Sequence, residues 1–398
     1  QHTLELVSAL LILTALIVLA WGALGKRAQI VNGTALVLAV VTLAWSPPWD
    51  RALLASGLYL YAPYVPKGVP LEPLLEAGSI LYYKEGAAAT VSVKRLTGTL
   101  SLAIDGKVDA SNRSDMLTQK LVAHLPLLIH GSPRDVAIIG LGSGVTLASA
   151  LTHPISRADV LELVPEVVEA SHLFEAENRR ALDDPRTNLI VGDGRSHLML
   201  SKRQYDVIIS EPSNPWIAGV AALFTREFFE AARERLAPDG ILCQWAHTYN
   251  ISERDLRSIA ATFTSVFPDT TVWLIGESDI LFVASTSPID GRLPNIEKGF
   301  SEPNVSADLR ASLAVEPFAL LSLYTGGPKE LKTYGQGASI LTDDRMTLEF
   351  SAPGDLESNT AAANDVNVGG QLFLTAGADG AKITIASGAN VLGTAFSH

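Results

Sequence analysis

Glu211 stands where a predicted buried strand turns into a stiff loop. Residues 208–219 read IISEPSNPWIAG, so the carboxylate follows apolar residues and a serine and precedes two prolines and a tryptophan. Proline fixes part of the backbone, so Pro212 and Pro215 predict a loop with little freedom. A carboxylate at the end of a core strand is suited to take a proton from a bound substrate. We interpret Glu211 as a substrate-facing base that Trp216 shields from water, and the alternative is an ordinary turn with a core indole.

A glycine-rich turn, GLGSG, follows an earlier predicted strand. Its glycines allow close backbone approach to a ligand, and the helix predicted to begin there offers free N–H groups. The next predicted strand ends in an acid, about 20 residues after the glycine turn. A carboxylate there can accept hydrogen bonds from both hydroxyls of a ribose. The third strand ends in Asp-Gly, and the aspartate can accept a hydrogen bond from the exocyclic amine of adenine. The residues of this predicted nucleoside site are Gly140, Gly142, Ser143, Gly144, Glu162, Asp193 and Gly194.

The two acids of the nucleoside site have a plainer interpretation, since acids at these positions also cap helices. The sequence lacks a phosphate-binding lysine motif, which favours a nucleoside without a triphosphate. No basic residue is placed to meet a 2′-phosphate, so S-adenosylmethionine or a relative fits better than NADP.

The elements that would position these residues alternate between strand and helix from Asp135 onward. Predicted strands cover 136–139, 159–163, 188–191, 207–210 and 241–245, and predicted helices begin at 143, 165, 225 and 253. Two further strands at 271–275 and 280–284 are close enough to pair antiparallel. This alternation predicts a doubly wound, mainly parallel α/β sheet with its ligand at the carboxyl ends of the strands. Before it, alternating runs at 80–83, 90–94 and 100–104 predict a small antiparallel β-domain, and a helix is predicted at 114–128.

The N-terminal segment is far more apolar than the rest. The runs 4–21 and 30–45 predict two transmembrane helices, which fit the chain better than a signal peptide does. Lys26 and Arg27 between them favour an outside location for the large domain. A cytosolic nucleoside donor favours the opposite, so we expect a multi-pass protein of the inner (plasma) membrane with its soluble domain in the cytoplasm.

The predicted domain organisation has six parts. They are two transmembrane helices (1–48), a linker (49–78), the β-domain (79–112), the Rossmann-like catalytic domain (113–285), a helical and loop-rich appendage (286–353), and a low-complexity tail (354–398) that is mobile or forms one small hairpin.

Composition excludes several classes of protein. The net charge of −12 argues against a nucleic-acid partner, which needs a basic surface. The single cysteine, Cys243, excludes a disulfide framework and a cysteine-rich metal site. The eight histidines show no metal-ligand spacing, so we expect no metal.

Several of these motifs together resemble the spermidine synthases, and most closely their bacterial membrane-fused relatives. The resemblance is carried by Ala-His-Leu-Pro-Leu at 123–127, the glycine loop, Glu162, Gly-Asp-Gly at 192–194, and an acid-ended strand followed by Ser-Asn-Pro. It covers roughly residues 79–285. It implies a β-domain before a methyltransferase-like Rossmann domain, and transfer of an aminopropyl group from decarboxylated S-adenosylmethionine to an amine. Methylthioadenosine is released, and Glu211 takes the place of the family's catalytic aspartate.

Four positions depart from the family. Ser143 and Asn214 stand where the family carries aspartates, Glu211 is longer than the usual aspartate, and Thr118 replaces a tyrosine on the acceptor side. Without an aspartate at position 143, the site could admit S-adenosylmethionine that keeps its carboxylate.

Further candidate substrate contacts follow from the resemblance and from strand-end positions. They are Asp105, Asp109, Ser213, Asn214, Trp216 and Tyr249. We expect His124 to be a core histidine and Arg195 to pair with a carboxylate. The sequence does not assign a role to His247.

The sequence leaves three functions open. The first is the aminopropyl transfer to a small amine, and we expect the enzyme to be a homodimer. The second is another reaction of S-adenosylmethionine, such as methyl transfer or a lyase or cyclisation reaction. The third is a non-catalytic, membrane-tethered sensor of a nucleoside or polyamine.

Overall fold

The computed structural model describes residues 2–20, 25–44, 49–276, 278–311, 316–355, 372–376 and 383–387. The chain divides into two compact units, residues 1–54 and residues 55–398.

The first unit is helical. Its helices are α1 (His2–Ala20), α2 (Lys26–Ala44) and α3 (Arg51–Leu54). The first two include residues 4–20 and 30–44 of the apolar runs and contact each other. Within the described part of the chain, however, no helix combines the length and the apolar character needed to cross a bilayer. The prediction of two transmembrane helices is therefore not supported.

The second unit begins with short helices and a four-stranded antiparallel sheet. Two short helices, α4 (Leu58–Tyr61) and α5 (Leu71–Glu76), occupy the predicted linker. The sheet has the order β1-β2-β3-β4. Its strands are β1 (Ser79–Glu85), β2 (Thr90–Leu96), β3 (Thr99–Ile104) and β4 (Lys107–Ser111). The sequence predicted the first three strands and missed β4, which contains only five residues.

A mixed eight-stranded sheet forms the centre of the second unit. Its strands are β5 (Asp135–Ile139), β6 (Arg157–Glu162), β7 (Thr187–Val191), β8 (Tyr205–Ser210), β9 (Leu236–His247), β10 (Thr270–Ile275), β11 (Asp279–Ser285) and β12 (Tyr324–Gly326). The order is β12-β10-β11-β9-β8-β5-β6-β7. Strands β5 to β9 pair parallel, and β10, β11 and β12 pair antiparallel. The doubly wound sheet and its antiparallel strand pair are confirmed.

The sheet reverses its direction of growth at β5. Strand β6 lies on one side of β5 and β8 on the other, which makes the carboxyl end of β5 a topological switch point. Ile139 is level with Leu161 of β6 and Ser210 of β8, so the residues that follow all three strands meet at one edge. Strand β11 runs the other way, and its first residue, Asp279, lies opposite His247 at the end of β9.

Helices cover both faces of this sheet. They are α6 (Met116–His130), α7 (Val145–Ala150), α8 (Pro165–Ser171), α9 (Glu175–Asn178), α10 (Gly194–Leu200), α11 (Arg226–Arg235), α12 (Glu253–Val266), α13 (Pro294–Phe300), α14 (Pro303–Arg310), α15 (Pro317–Leu321), α16 (Pro328–Tyr334) and α17 (Thr347–Ser351). Two apolar clusters of buried residues result, one on each face.

Residues 286–353 continue the sheet and its core. Strand β12 pairs with β10, and α13 packs against α6. Glu349 of α17 accepts a hydrogen bond from the backbone N–H of Gly219, at 3.0 Å. This segment thereby holds the loop that follows Glu211. Beyond it, β13 (Leu372–Ala376) and β14 (Ile383–Ser387) pair antiparallel, as expected of a small hairpin.

The turn after β5 requires glycine at one position. Gly140 has φ +97°, and a Cβ placed there would lie 2.6 Å from the carbonyl oxygen of Glu211. A side chain would therefore combine backbone strain with a clash against the backbone of the neighbouring strand end.

We predict that Gly140→Ala lowers the free energy of unfolding by about 1–3 kcal/mol, because the strained conformation and the contact add up. Chemical denaturation measures the change. Gly192→Ala is the matched control, since a Cβ at Gly192, at the end of β7, meets nothing within 4 Å. Equal stability of the two variants would contradict the prediction.

Candidate active site

A cavity of about 490 Å³ opens at the carboxyl edge of the parallel strands. Its wall is formed by the glycine turn, the ends of β6, β7 and β8, the start of β11, and β4 of the small sheet. It includes these predicted site residues: Gly140, Gly142, Glu162, Asp193, Gly194, Glu211, Ser213, Asp105, Asp109 and Tyr249. The structure thus brings the predicted nucleoside and substrate residues together around one space.

Four predicted residues lie behind this wall. Ser143 is buried and donates a hydrogen bond to Gln119, and Gly144 caps α7 in a left-handed conformation. Asn214 is buried and donates to the Tyr249 hydroxyl at 3.2 Å. Trp216 belongs to the apolar core, as its alternative interpretation expected.

Glu162 fixes the glycine turn. Its Oε2 accepts the backbone N–H of Leu141 at 2.9 Å, and its Oε1 accepts that of Val164 at 2.8 Å. Burial raises the pKa of this carboxyl, and the two N–H donors oppose the shift. Each oxygen keeps acceptor capacity, so the carboxylate can also meet the hydroxyls of a ribose.

Asp193 caps the helix that follows it. Its two oxygens accept the backbone N–H groups of Arg195 and Ser196 at the start of α10. The capping interpretation therefore holds for Asp193, although the residue also lines the cavity. The neighbouring Gly194 leaves room for Ile139, since a Cβ there would lie 2.7 Å from an Ile139 methyl group.

Glu211 follows β8, in the middle of the cavity edge. Its Oε2 accepts a hydrogen bond from the Thr146 hydroxyl at 2.7 Å. Burial raises the pKa of Glu211 from 4.5 to about 8, and the nearby negative charges of Asp115 and Asp279 add to this effect. In the ligand-free cavity Glu211 therefore carries its proton at neutral pH. A cation beside it would lower this pKa and release the proton.

The sequence interpretation missed two acids near Glu211. Asp279 accepts the Thr118 hydroxyl at 2.6 Å and the Trp245 indole N–H at 3.3 Å, and burial raises its pKa. Asp115 accepts a hydrogen bond from the side-chain amide of Gln119 at 3.2 Å, and burial raises the pKa of Asp115 as well. A signal for Asp279 existed, because the first residue of an antiparallel strand lies at the same edge as the ends of its parallel neighbours.

The charge of the cavity wall is strongly negative. The wall carries these carboxylates: Asp105, Asp109, Asp115, Glu162, Asp193, Glu211 and Asp279. Against seven acids, Lys107 is the one lysine or arginine among the described lining residues. Its Nζ lies 2.6 Å from Asp109 Oδ1, which also accepts the Ser213 hydroxyl at 2.6 Å. The arrangement suits a ligand with several positive charges.

Aromatic rings stiffen the loop after Glu211. The Trp216 ring lies 4.9 Å from His247 and 6.2 Å from Tyr249, measured between ring centroids. Burial lowers the pKa of His247 to about 3, so this ring is neutral. We call residues 211–219 the gate loop; it is anchored to these rings on one side and to Asp109 on the other.

The remaining candidates have structural roles. His124 is fully buried, and its ring nitrogens bond His153 and Asp308, both at 2.9 Å. Arg195 pairs with Asp343, and Cys243 is buried in β9. Among the described residues, no group of three or more His, Cys, Asp or Glu side chains is arranged to hold a metal ion.

Known proteins resemble the part of the chain that forms this cavity. Residues 115–275 match the family model of the spermine/spermidine synthase domain. Spermidine synthase of Dictyostelium discoideum is 35% identical over 152 residues, 37% of this chain and 53% of that protein. Polyamine aminopropyltransferase 2 of Pseudomonas aeruginosa is 36% identical over 171 residues, 42% of this chain and 49% of that protein. The chain thus spans about half the length of these curated relatives.

The fold has a counterpart among solved structures. The crystal structure of spermidine synthase from Thermotoga maritima aligns with a TM-score of 0.50 at 25% identity, over 61% of this chain and 87% of that one. The finer resemblance to membrane-fused relatives stays a prediction. The glycine turn, the acid-ended strands and the acidic cavity agree with this match: residues 115–275 are similar to the spermine/spermidine synthase domain.

Proposed function

We propose that the protein transfers an aminopropyl group from decarboxylated S-adenosylmethionine to a small amine and releases methylthioadenosine. The observation that carries the proposal is the single cavity in which Glu162 and the glycine turn adjoin Glu211 and its acidic neighbours. A nucleoside is bound at β5, β6 and β7, and the reacting amine meets Glu211 at β8. Cationic groups of donor and acceptor match the negative wall.

The reaction needs alignment and one proton acceptor. A lone pair of the acceptor amine attacks the propyl carbon next to the sulfonium, so a C–N bond forms as the C–S bond breaks. The sulfur leaves as a neutral thioether, and the proton of the amine passes to Glu211. Fixing both reactants in one cavity supplies much of the acceleration, and the base supplies the rest.

The raised pKa of Glu211 fits this role. Burial, aided by the negative charges of Asp115 and Asp279, raises the pKa of Glu211 to about 8 and keeps it protonated at neutral pH. Binding of the positively charged donor offsets both effects and leaves Glu211 as a carboxylate, ready to accept a proton. A base whose pKa lies near the working pH is effective in both accepting and releasing the proton.

Asp115 supports a decarboxylated donor. Ser143 replaces an acid of the family, but Ser143 bonds Gln119, and Gln119 in turn bonds Asp115. The acid missing from the glycine turn is thus supplied from the start of α6. A donor that kept its carboxylate would meet this negative charge, whereas an aminopropyl ammonium is attracted to it.

One assay separates the candidate reactions. The purified protein is incubated with decarboxylated or intact S-adenosylmethionine, with and without putrescine, and the nucleoside products are separated by chromatography. Methylthioadenosine formed only from decarboxylated donor plus amine supports the proposal. Adenosylhomocysteine indicates methyl transfer, methylthioadenosine without amine indicates a lyase or cyclisation reaction, and tight binding without product indicates a sensor.

Membrane attachment, a cytoplasmic location and a homodimer stay predictions from the sequence. They are not needed for the chemistry proposed above.

We predict that Glu211→Gln lowers kcat by about 100-fold or more while donor binding stays near the wild-type value, because the amide cannot accept the proton. Steady-state kinetics and donor titration by calorimetry measure the two effects. Glu211→Asp is the control that keeps a carboxylate and should keep measurable turnover. An undiminished rate in the glutamine variant would remove Glu211 from the mechanism.

A second prediction concerns pH and stability without ligand. The pKa of Glu211 is about 8 in the folded protein and 4.5 in the unfolded chain. Between these values the unfolded chain releases a proton that the folded protein retains, so the free energy of unfolding falls as pH rises from 4.5 to 8. Glutamine resembles the protonated acid and lacks this loss. The melting temperature of Glu211→Gln relative to wild type should therefore increase across this range, and parallel curves would contradict the pKa.

A further inference from the structure

The hydroxyl of Thr146 faces two hydrogen-bond acceptors at once. Thr146 lies in the first turn of α7, is only 2% exposed, and lines the cavity. Its Oγ1 lies 2.7 Å from Glu211 Oε2 and 2.9 Å from the backbone carbonyl oxygen of Gln119 in α6. A threonine hydroxyl carries a single hydrogen, so it donates to one of these oxygens at a time.

The protonation state of Glu211 decides which oxygen receives that hydrogen. When Glu211 is a carboxylic acid, its own O–H can donate to Thr146 Oγ1, and the Thr146 hydroxyl then donates to Gln119. When Glu211 is a carboxylate, it has no hydrogen to give, and the Thr146 hydroxyl turns to Oε2 in a stronger, charge-assisted bond. The carbonyl oxygen of Gln119 tolerates this change, because it also accepts a helical N–H of α6.

The contact with Thr146 leaves one oxygen of Glu211 for the substrate. The backbone N–H of Glu211 donates to the carbonyl oxygen of Ile139 at 3.0 Å, which fixes the main chain to the end of β5. Among the residues that the structure describes, Thr146 is the one hydrogen-bond partner of the Glu211 side chain. Oε2 thus sets the orientation of the carboxyl group, and Oε1 remains for the attacking amine.

We propose that Thr146 is a positioning residue whose hydroxyl turns between Gln119 and Glu211 and so holds the base in one orientation whether or not it carries a proton. The inference rests on the proposed function, because it describes how the base of that reaction is held. During transfer an N–H bond of the amine breaks and an O–H bond forms at Glu211 Oε1. Oε2 accepts from Thr146 throughout this step.

The Thr146 hydroxyl matters because the other groups around Glu211 disfavour a negative charge there. Burial raises the pKa of Glu211 most, nearby carboxylates add to the effect, and the hydrogen bond from Thr146 opposes it. The titratable groups that interact with Glu211 come from four elements or their ends: Asp109 of β4, Asp115 before α6, Cys243 of β9 and Asp279 of β11. The same cavity also contains Lys107, Glu162, Asp193 and Tyr249.

The test follows the titration of Glu211 in the ligand-free protein, by NMR of isotopically labelled glutamate carboxyls. The resonance of Glu211 is assigned by its loss in Glu211→Gln, and its wild-type midpoint is expected at a pH of about 8. Thr146→Val replaces the hydroxyl by a methyl group of similar size. Because the carboxylate loses its donor, the midpoint should rise by about one pH unit.

Two control variants separate the hydrogen bond from a general effect on α7. Thr146→Ser keeps the hydroxyl and should keep the wild-type midpoint. Thr152, just beyond α7, donates to the carbonyl oxygen of Ser149 at 2.7 Å and lies outside the wall of the cavity. Thr152→Val therefore removes a hydroxyl of the same kind and should leave the midpoint of Glu211 unchanged.

The pH dependence of kcat tests the same contact in the loaded cavity. With saturating donor and amine, the acid limb of the profile reports the base in the bound complex. This limb should move up by about one pH unit in Thr146→Val, which lowers kcat about tenfold on its acid side. In Thr146→Ser the limb should stay at its wild-type position. A purely structural role of Thr146 would lower kcat without moving the limb.

Equal NMR midpoints in Thr146→Val and wild type would overturn the proposal, and so would an equal shift in Thr146→Ser or Thr152→Val. If Thr146→Val does not fold, as judged by circular dichroism, Thr146→Ala takes its place, because it also lacks the hydroxyl. Failure of the proposed function is recognised separately, by a wild type that releases no methylthioadenosine with any amine. The NMR titration needs no turnover, so it decides in that case too whether Thr146 holds Glu211.

Discussion

Repulsion between carboxylates at one sheet edge is the constraint on which the site depends. Seven acids face a single cavity of about 490 Å³, and Lys107 is the cation described among them. Such a group of charges is unfavourable without a counter-charge. Burial raises the pKa of Glu211 to about 8, and the negative charges of Asp115 and Asp279 add to this effect. The same repulsion makes the cavity attractive to polycations, so the stability of the empty protein and its affinity for ligand are linked.

The fold was largely predictable, because the strands and glycine turns give strong local signals. The ends of β5, β6, β7 and β8 are marked by Gly140, Glu162, Asp193 and Glu211, and parallel strands bring such residues to one edge. The pairing of Lys107 with Asp109 could not be predicted, because β4 is short and its register depends on a bulge between β3 and β4. Whether Asp193 caps a helix or faces a ligand was likewise decided only by the helix after it.

Departures from the family pattern are partly compensated by acids from other elements. Position 143 is a buried serine, but Asp115 reaches the same side of the cavity through Gln119. Thr118 replaces a tyrosine, and its hydroxyl now holds Asp279 in place. The site therefore keeps its negative charge, but acids at other positions of the chain supply it. A residue-by-residue comparison with the family would count these positions as losses, because it does not consider where α6 and β11 begin.

The hydrogen bond from Gly219 to Glu349 joins the gate loop to α17, which lies beyond the matched residues 115–275. The gate loop that follows Glu211 is thus held by a C-terminal helix none of whose residues lines the cavity. Sequence drift or truncation in that segment can alter how firmly the gate loop is held, while the residues that line the cavity stay unchanged. Relatives that share every reacting residue can for this reason still differ in turnover.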